Sequence, residues 1–416
     1  MTDVLEIAEL LWTGAATVES HHPVGGGAGD LAEVADGVVF WHGFSNATAV
    51  DTGDGLLLVD SGDPFLGPLL HERVRGWRAE LPLRTVVFSH GHIDHVFGVG
   101  PFDAEAAERG WPRPMVMANE AMPARFDRYV LTAGYNGTIN RRQFGADNLQ
   151  WPTEYRYPDE TYRGVRSLDV GGETVELHAV RGETDDHTWT WMASRKVLCC
   201  GDLFIWASPN AGNPQKVQRY AAEWGVALRE MAELGAEVLL PGHGVPVVGA
   251  NRVRQALTDT AEFLQSLHDQ TVAMMNDGAR LDEILHTVRP PAELADRPYL
   301  QPVYDEPEFV VRNLWRLYGG WWDGNPATLK PAPDAAVAAE VVQLAGADTV
   351  AARVRALLEE GDDASLRLAG HLAEWLVQAD PASAGARDIK RQVFAARVAA
   401  ERSTMAKGVF GWAARS

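Results

Sequence analysis

The stretch Thr85-Val86-Val87-Phe88-Ser89-His90-Gly91-His92-Ile93-Asp94-His95 carries the strongest chemical signal in the sequence, because four potential metal ligands directly follow an apolar strand pattern. Side chains alternate along an extended segment, so His90 and His92 point to the same side and can hold one ion. Asp94 and His95 lie where the chain turns and can face a second ion. Imidazole and carboxylate donors together suit zinc, with manganese or iron as alternatives. This H-x-H-x-D-H pattern is typical of a two-metal hydrolase.

The density of ligands in this stretch argues against coincidence. The sequence contains 13 histidines, and three of them fall with an aspartate between residues 90 and 95. A single histidine is most often a surface residue or a satisfied core residue. This cluster, however, lies at a strand end, which is where α/β folds build their sites. We therefore predict a metal centre here.

Composition limits the classes of protein to which the chain can belong. Its 416 residues are 46% hydrophobic, which allows a large core and, by length, two domains. The formal net charge of -20 argues against a nucleic-acid partner, because such partners require a basic surface. No run approaches eighteen apolar residues, so we expect no membrane insertion. A small anionic substrate is still compatible with this charge, because a dinuclear cation centre reverses it locally.

The N-terminus and the cysteines indicate where the protein works. Residues 1–12 carry acids where a secretory signal would carry a basic start, so they are predicted to form an amphipathic helix. Cys199 and Cys200 are the two cysteines of the chain, and as neighbours on a strand they face opposite ways, which disfavours a disulfide. We expect a cytoplasmic protein.

Hydrophobic periodicity predicts three parts: an N-terminal helix and linker over 1–34, a mixed α/β catalytic domain over 35–251, and a helical domain over 252–416. In the middle part, β-branched runs predict strands near 37–41, 47–50, 56–59, 85–89, 114–118, 165–170, 174–180, 187–192 and 196–200. Helices are predicted over 65–79, 216–234, 253–276, 281–288, 308–317, 335–344, 348–360, 365–379 and 384–401.

Two ions need more than four ligands, and three further candidates each follow a predicted strand. Glu183 lies in Arg181-Gly182-Glu183-Thr184-Asp185-Asp186-His187, Asp202 in Cys200-Gly201-Asp202-Leu203, and His243 in Pro241-Gly242-His243-Gly244. With the first motif they give each ion about three protein ligands and a bridging carboxylate, which leaves room for solvent.

These motifs, taken in order, resemble the metallo-β-lactamase superfamily over roughly residues 35–250. The motifs that carry the resemblance are Asp60-Ser61-Gly62, His90 to His95, Glu183 to His187, Gly201-Asp202 and Gly242-His243. The resemblance implies a fold of the α/β class, an αβ/βα sandwich of two sheets covered by helices, followed here by an all-helical domain.

The same resemblance implies a centre of two zinc ions with two sets of ligands. The first ion is expected on His90 and His92, and the second on Asp94, His95 and His243. Asp202 is expected to bridge the ions, and Asp60 to brace the site from behind.

Glu183 narrows the resemblance to one branch. Most members of the superfamily have a histidine at this position, whereas a glutamate there is similar to the alkylsulfatases. We therefore expect Glu183 to complete the ligands of the first ion, where its charge lowers the Lewis acidity of that ion relative to an imidazole. His187, four residues on, is the rival ligand, and otherwise it supports the ligands or faces the substrate.

Two further stretches are similar to the alkylsulfatase branch. Residues 136–145 place a small-residue turn before Arg141-Arg142 and an aromatic-glycine pair. Residues 318–326, with Leu329-Lys330-Pro331 after them, resemble the dimerisation domain of that family, which implies a homodimer through the helical domain. The sterol-carrier-like C-terminal domain of the long alkylsulfatases is not expected, because the chain stops after the helical part.

The segment after Asp202 implies the residues that bind substrate. Alkylsulfatases hold the sulfate with an asparagine and an arginine downstream of the bridging carboxylate. Asn210 falls at the asparagine position, and Lys216 or Arg219 can replace the arginine, with a solvated helix start as the alternative for both cations. Arg142 is a further candidate for anion binding, with a structural salt bridge as its alternative. The family histidines of this segment are missing and the bridging carboxylate is an aspartate, which keeps the substrate class open.

We hypothesise that the two metal ions share a hydroxide, which attacks an ester bond of a small, anionic molecule. Asp94 and Asp202 are expected to orient the hydroxide, and His187 to donate a proton to the leaving group. An alkyl sulfate ester is the favoured substrate. A carboxylic ester, a lactone or a phosphodiester needs the same hydroxide but a different pocket, and an iron-dependent oxygenase is an alternative of another class.

Overall fold

Two β-sheets form the framework of the protein in the computed structural model, which describes residues 3–27 and 29–415. The first sheet has seven described strands in chain order: β1 (Asp30–Ala35), β2 (Val38–His42), β3 (Ala47–Asp51), β4 (Leu56–Val59), β5 (Leu83–Val87), β6 (Met115–Asn119) and β7 (Glu160–Tyr162). The second has six, ordered from last to first: β8 (Val165–Val170), β9 (Glu173–Val180), β10 (His187–Met192), β11 (Val197–Gly201), β12 (Val238–Pro241) and β13 (Val247–Val248). Strands β4 to β7 run parallel, as do β11 and β12.

The described residues also form sixteen α-helices: α1 (Val4–Thr13), α2 (Gly67–Trp77), α3 (Ile93–Val96), α4 (Gly100–Arg109), α5 (Met122–Leu131), α6 (Ala133–Phe144), α7 (Ala221–Ala232), α8 (Ala250–Asn276), α9 (Leu281–Thr287), α10 (Pro307–Gly319), α11 (Pro326–Leu329), α12 (Asp334–Ala345), α13 (Ala347–Glu360), α14 (Asp363–Ala379), α15 (Ala384–Ala400) and α16 (Thr404–Arg415). Two short 3-10 helices cover Ala292–Leu294 and Pro298–Leu300. Among the described helices, no single one has the length and apolar character of a membrane span. The pair α12 and α13, bent by 96°, passes that test only when its two members are combined.

Helices cover the outer face of each sheet. Val86 and Phe88, at the centre of the first sheet, pack with residues of α2, α4 and α5, and Phe102 and Phe126 of those helices are almost completely buried. Helices α7 and α8 pack on β9, β12 and β13 of the second sheet. The sheets meet on their inner faces, where the Tyr162 and Thr188 hydroxyls are 2.7 Å apart. The result is an αβ/βα sandwich, which confirms the predicted fold class.

The described chain divides into two compact units. The first contains the residues up to Ala133, together with Pro152–Ala279 and Glu283–Tyr318, and the second contains Gly134–Trp151, Arg280–Asp282 and the chain from Gly319. The first unit therefore includes α8 and α10 as well as both sheets. Inside the second unit, α13, α14 and α15 share an apolar core that includes Val354, Ala369 and Val393. The domain boundaries expected from the sequence stay a prediction.

Several helices depart from the sequence-based expectation. Helices α4, α5, α6 and α16 were not predicted. Glycines in α6 and α16, together with asparagines in α6, lower the intrinsic helix propensity of these segments. In α16, Gly408 allows a close approach, because a Cβ there would lie 2.1 Å from the Gln143 carbonyl oxygen. The helix predicted over 216–234 begins only at Ala221. The residues before Ala221 form a loop, in which the Arg219 carbonyl oxygen accepts a hydrogen bond from the Asn313 side chain at 2.9 Å.

Candidate metal centre

Five strand ends deliver the candidate site residues. Asp60 follows β4, His90 follows β5, Glu183 follows β9, Asp202 follows β11, and His243 follows β12. In sheets of this kind the chain leaves the strands at one edge, where loops can bring side chains together. Because the strands are packed in the sandwich, the points at which these loops begin are fixed.

The first group of potential ligands consists of His90, His92, Glu183 and Asp202. The His90 Nε2 and His92 Nδ1 atoms are 2.8 Å apart. Glu183 Oε2 lies 3.5 Å from His90 Nε2 and 3.7 Å from His92 Nδ1. Asp202 Oδ2 lies 3.7 Å from His90 Nε2. One ion placed among these atoms can reach all four side chains.

The second group consists of Asp94, His95 and His243. His243 Nε2 is 3.3 Å from Asp94 Oδ2, and His95 Nε2 is 3.7 Å from the same oxygen. Asp202 also faces this group, with Oδ1 3.5 Å from His95 Nε2 and Oδ2 3.4 Å from His243 Nε2. Asp202 thus lies between the two groups, where a bridging carboxylate would lie.

The donors of both groups fit a divalent-metal centre. His95 Nε2, Glu183 Oε2 and Asp202 Oδ1 are buried and have no hydrogen-bond partner among the described residues. Buried polar atoms normally find a partner, so these three atoms indicate a ligand. Burial also lowers the pKa of His90 and of His92 well below the usual value, which leaves the neutral imidazoles that metals bind.

The charges of the site point the same way. Burial alone would raise the pKa values of Asp94 and Asp202, but the imidazoles of His95 and His243 hold both below their usual range. Burial and the charge of Asp202 raise the pKa of Glu183. Although burial opposes it, Asp202 and Asp60 raise the pKa of His95 to about 9. A divalent cation supplies the positive charge that protons otherwise bring to these carboxylates.

Asp60 holds the ligands of both groups from behind. Its Oδ2 accepts the Ser89 hydroxyl at 2.7 Å and lies 2.9 Å from His95 Nδ1, while its Oδ1 accepts the Ser89 backbone N–H at 2.6 Å. The Ser89 hydroxyl in turn lies 2.9 Å from His90 Nδ1. Asp60 adopts a left-handed backbone with a φ of 58°, an unusual conformation for a residue other than glycine. This hydrogen-bond pattern orients the rings of His90 and His95.

A loop after β2, not singled out from the sequence, holds the second group. Asn46 donates from Nδ2 to the carbonyl oxygens of Pro241 and Gly244, both at 2.9 Å, so it spans the turn that carries His243. The Phe44 carbonyl oxygen lies 2.8 Å from His243 Nδ1. Ser45 donates its hydroxyl to the Asp94 carbonyl oxygen. The sequence offered no local signal for this role, because these contacts join segments about 50 to 200 residues apart.

Asn210 and Arg219 contact Glu183, which differs from the substrate role expected for them. Arg219 is 2% exposed, and its Nη1 lies 3.1 Å from Glu183 Oε1 and donates to the Glu183 carbonyl oxygen at 2.6 Å. Asn210 donates from Nδ2 to the same Oε1. The alternative of a solvated helix start is wrong for Arg219, because its side chain is buried and the residue lies in a loop.

Lys216, the other predicted cation of this segment, precedes Arg219 by three residues. It is half-buried in the loop before α7. Burial and the charge of Arg219 lower its pKa to about 7, while Asp94 and Glu183 act to raise it. Asp94 and Glu183 belong to the two different ligand groups, and Lys216 stays the predicted cation for an anionic substrate.

Two predicted residues do not join the ligand groups within the described chain. His187 is completely buried, stacks on His90 with ring centroids 4.8 Å apart, and places Nε2 3.1 Å from the Cys200 carbonyl oxygen. The Glu183 carboxylate, rather than His187, therefore faces the ring nitrogens of His90 and His92, and the complete burial of His187 contradicts a substrate-facing position. Arg142 belongs to the second unit, where its guanidinium lies 4.2 Å from the ring centroid of Trp412. This contact is a cation–π stacking, and anion binding and a structural salt bridge of Arg142 both stay predictions.

Comparison with protein families first defines the class of protein. Residues 41–243 match the metallo-beta-lactamase superfamily, and residues 280–416 match the alkyl sulfatase dimerisation family. The chain therefore combines a metallo-β-lactamase domain with an alkylsulfatase-type dimerisation domain. Both assignments confirm the resemblance inferred from the motifs.

Several individual relatives of the chain are alkylsulfatases. A linear primary-alkylsulfatase from Pseudomonas sp. is 26% identical over 375 residues, 83% of this chain and 69% of that protein. An alkyl/aryl-sulfatase from Saccharomyces cerevisiae is 24% identical over 389 residues, 86% of this chain and 59% of that protein. The structure of a stereoselective inverting sec-alkylsulfatase from Pseudomonas sp., at 24% identity, superposes with a TM-score of 0.81 and covers 92% of this chain and 64% of that one. The chain is thus homologous to alkylsulfatases and shares their fold, while spanning about three fifths to two thirds of their lengths.

Proposed function

We propose that the protein is a dinuclear zinc hydrolase that cleaves alkyl sulfate esters. The observation that carries this proposal is the placement of Asp202 between two groups of ligands, one containing Glu183 and the other Asp94. The homology to alkylsulfatases supports the substrate class. Manganese or iron can occupy the same nitrogen and oxygen donors, so metal identity belongs to the test.

The residues of the chain divide the chemistry between them. When bound, the two ions would supply Lewis acidity that activates water and polarises an ester oxygen. Asp94 and Asp202, both held ionised, accept hydrogen bonds from the attacking water and orient it toward the ester. Lys216 offers its ammonium to the anionic oxygens of the substrate, whose charge increases in the transition state.

Glu183 and Arg219 act together in this proposal. A glutamate ligand adds a negative charge that a histidine would not, and Arg219 offsets that charge from the side facing away from His90 and His92. The first ion can therefore keep enough Lewis acidity for hydrolysis. His187 supports the ring of His90 and takes no part in proton transfer to the leaving group.

The test is a substrate panel run on protein loaded separately with zinc, manganese and iron. Alkyl sulfates, phosphodiesters, lactones and carboxylic esters are compared by kcat/KM, and Asp94→Ala serves as the inactive control. We expect alkyl sulfates to be the best substrates of the zinc form. Faster turnover of lactones, carboxylic esters or phosphodiesters would contradict the sulfatase assignment. Activity that requires one bound iron ion and molecular oxygen would show that the protein is an oxygenase rather than a hydrolase.

The role of Lys216 has its own matched control. Lys216→Met is expected to raise KM for an alkyl sulfate at least tenfold and to leave neutral esters nearly unchanged, because only the anionic substrate needs the ammonium. Lys196→Met removes an exposed lysine that pairs with Glu237, and it is expected to leave KM unchanged for both the alkyl sulfate and the neutral esters. If Lys216→Met raises KM equally for neutral and anionic esters, Lys216 does not bind the anionic group of the substrate.

We also propose that the protein is a cytoplasmic homodimer. The match of residues 280–416 to the dimerisation family supports the assembly. Light scattering after size-exclusion chromatography at micromolar concentration is expected to give twice the mass of the 45.4 kDa chain. A mass of one chain would contradict the dimer.

A further inference from the structure

We propose that Arg125 and Asp186 form a brace that positions His90 and His92 for the first metal ion. The inference rests on the proposed metal centre, but it concerns two residues outside both ligand groups. Arg125 lies in α5 and Asp186 lies just before β10, so the brace joins a helix that packs on the first sheet to the loop before a strand of the second sheet.

The brace ends on the backbone between the two histidines. Asp186 Oδ2 accepts the Gly91 N–H at 3.0 Å, and Gly91 is the single residue that separates His90 from His92. The peptide at Gly91 therefore sets the direction of both neighbouring side chains. Because the two ring nitrogens approach to 2.8 Å, a small rotation of this peptide would change the geometry of the pair.

Arg125 fixes the carboxylate of Asp186. Its Nε lies 2.8 Å from Asp186 Oδ1, and its Nη1 donates to the Tyr129 hydroxyl at 3.2 Å. Arg125 is 2% exposed and Asp186 is completely buried, so water cannot substitute for either partner. A buried carboxylate requires such a countercharge, which ties the position of Asp186 to that of Arg125.

Close packing adds a steric component to the brace. A Cβ built on Gly91 would lie 2.7 Å from Arg125 Cδ and 2.8 Å from Asp186 Oδ2. The two side chains therefore lie directly against the backbone of the histidine pair. Asp186 also belongs to the turn that carries Glu183, so one ion pair restrains the loops that hold three of the four ligands of the first group.

Asp185 provides the matched control. It also pairs with Arg125, but its side chain is 34% exposed, and within the described chain it bonds to no backbone group of residues 90–92. Removing Asp185 changes the charge around Arg125, whereas removing Asp186 also releases Gly91. A brace predicts that the two changes differ, and a general role of the acidic pair in folding predicts that they do not.

The experiment compares Asp186→Ala with Asp185→Ala. Zinc is titrated into each metal-free protein against a competing chelator, and hydrogen exchange of the segment containing Gly91 is measured in the same metal-free proteins. We expect Asp186→Ala to weaken one of the two zinc sites by about 10- to 100-fold, to leave the other within about threefold, and to speed exchange at Gly91. Asp185→Ala is expected to retain both affinities and the slow exchange.

Other outcomes also decide the question. Unchanged zinc affinity in Asp186→Ala, or equal losses in both variants, would overturn the brace. If Asp186→Ala does not fold, Asp186→Asn replaces it, because asparagine keeps the volume of the side chain. The weakened pairing of this variant with Arg125 is expected to speed hydrogen exchange at Gly91. Wild-type exchange and wild-type zinc affinity in Asp186→Asn would likewise overturn the brace. If the wild-type chain binds no zinc, the proposed function fails, and exchange at Gly91 still tests the brace by itself.

Discussion

Arg219 contacts both the side chain and the backbone of Glu183: its Nη1 atom lies 3.1 Å from the Oε1 oxygen and 2.6 Å from the backbone carbonyl oxygen. The other carboxylate oxygen, Oε2, remains directed at His90 and His92. The arginine therefore selects which oxygen of Glu183 faces the first metal site. It also places a buried positive charge next to a ligand of the first group that is a glutamate rather than a histidine.

Replacement of this arginine is expected to destabilise the metal-free protein. Above the pKa of Glu183, which is raised to about 8, Arg219→Met leaves that carboxylate buried without its countercharge, which should lower the free energy of unfolding by roughly 3–5 kcal/mol. Added zinc should recover part of the loss, because the ion takes over the countercharge. Denaturant unfolding with and without zinc measures both effects.

The controls separate the ion pair from general packing. Arg229→Met removes a half-exposed arginine of α7 and is expected to change the free energy of unfolding by less than about 1 kcal/mol. The double variant Arg219→Met with Glu183→Gln should be more stable than Arg219→Met alone, because no uncompensated charge remains. If the stability lost in the double variant equals the sum of the losses in the two single variants, the two residues are not energetically coupled.

Asn46 gives a second prediction, for the opposite side of the site. It is 2% exposed, and its amide satisfies the carbonyl oxygens on both sides of the His243 turn. Asn46→Ala leaves these oxygens unpaired, at a cost of roughly 1–3 kcal/mol for each buried group. We expect lower stability and weaker binding of the second zinc ion, measured by unfolding and by chelator competition. The exposed Asn148→Ala is the control, and native zinc affinity in Asn46→Ala would exclude a role for this loop in holding His243.

Asp305 predicts a specific dependence of stability on pH. Its buried carboxylate accepts N–H groups from Gly212, Asn213 and Glu306, and burial, which outweighs these hydrogen bonds, raises its pKa to about 6. Between about pH 4 and pH 6 the folded protein then binds more protons than the unfolded chain, so this group's contribution to stability falls as the pH rises. The shift corresponds to at most about 3 kcal/mol across that window.

The pH prediction is tested with Asp305→Asn. Unfolding free energies are measured at several pH values between about 4 and 7 for the wild type, for Asp305→Asn and for the exposed control Asp296→Asn. The difference between wild type and Asp305→Asn should change with pH, with the wild type losing stability relative to the variant as the pH rises. A constant difference would mean that Asp305 has the same pKa in the folded and unfolded states.

The candidate ligands of the metal centre were accessible to sequence analysis because each is encoded locally. A strand pattern followed by His90, Asp202 or His243 predicts both the position and the chemistry of the residue, since strand ends are where such sites form. The long helices of the C-terminal half were predicted for a similar reason, because their apolar periodicity extends over several turns.

The supporting residues could not be predicted in this way. Asn46 and Asp186 act through hydrogen bonds to segments far away in the chain, and no spacing rule connects them to their partners. Arg219 illustrates the same limit, because its charge was compatible with a substrate role, a solvated helix start or a buried ion pair. Only the folded position of Glu183 distinguishes these alternatives.

Gly242 provides the last prediction, which concerns the bridging carboxylate. A Cβ at this position would lie 2.0 Å from Asp202 Oδ1 and 3.0 Å from His95 Cε1, so Gly242→Ala must displace the Asp202 side chain. Because Asp202 faces both ligand groups, both zinc affinities should fall by more than about tenfold.

Gly76→Ala is the matched control, since nothing lies within 4 Å of a Cβ at this exposed position of α2. It should raise the free energy of unfolding by about 0.5–1 kcal/mol without changing zinc binding. Two zinc ions bound at native affinity in Gly242→Ala would show that Asp202 does not bridge them, because the displaced carboxylate could no longer reach both sites.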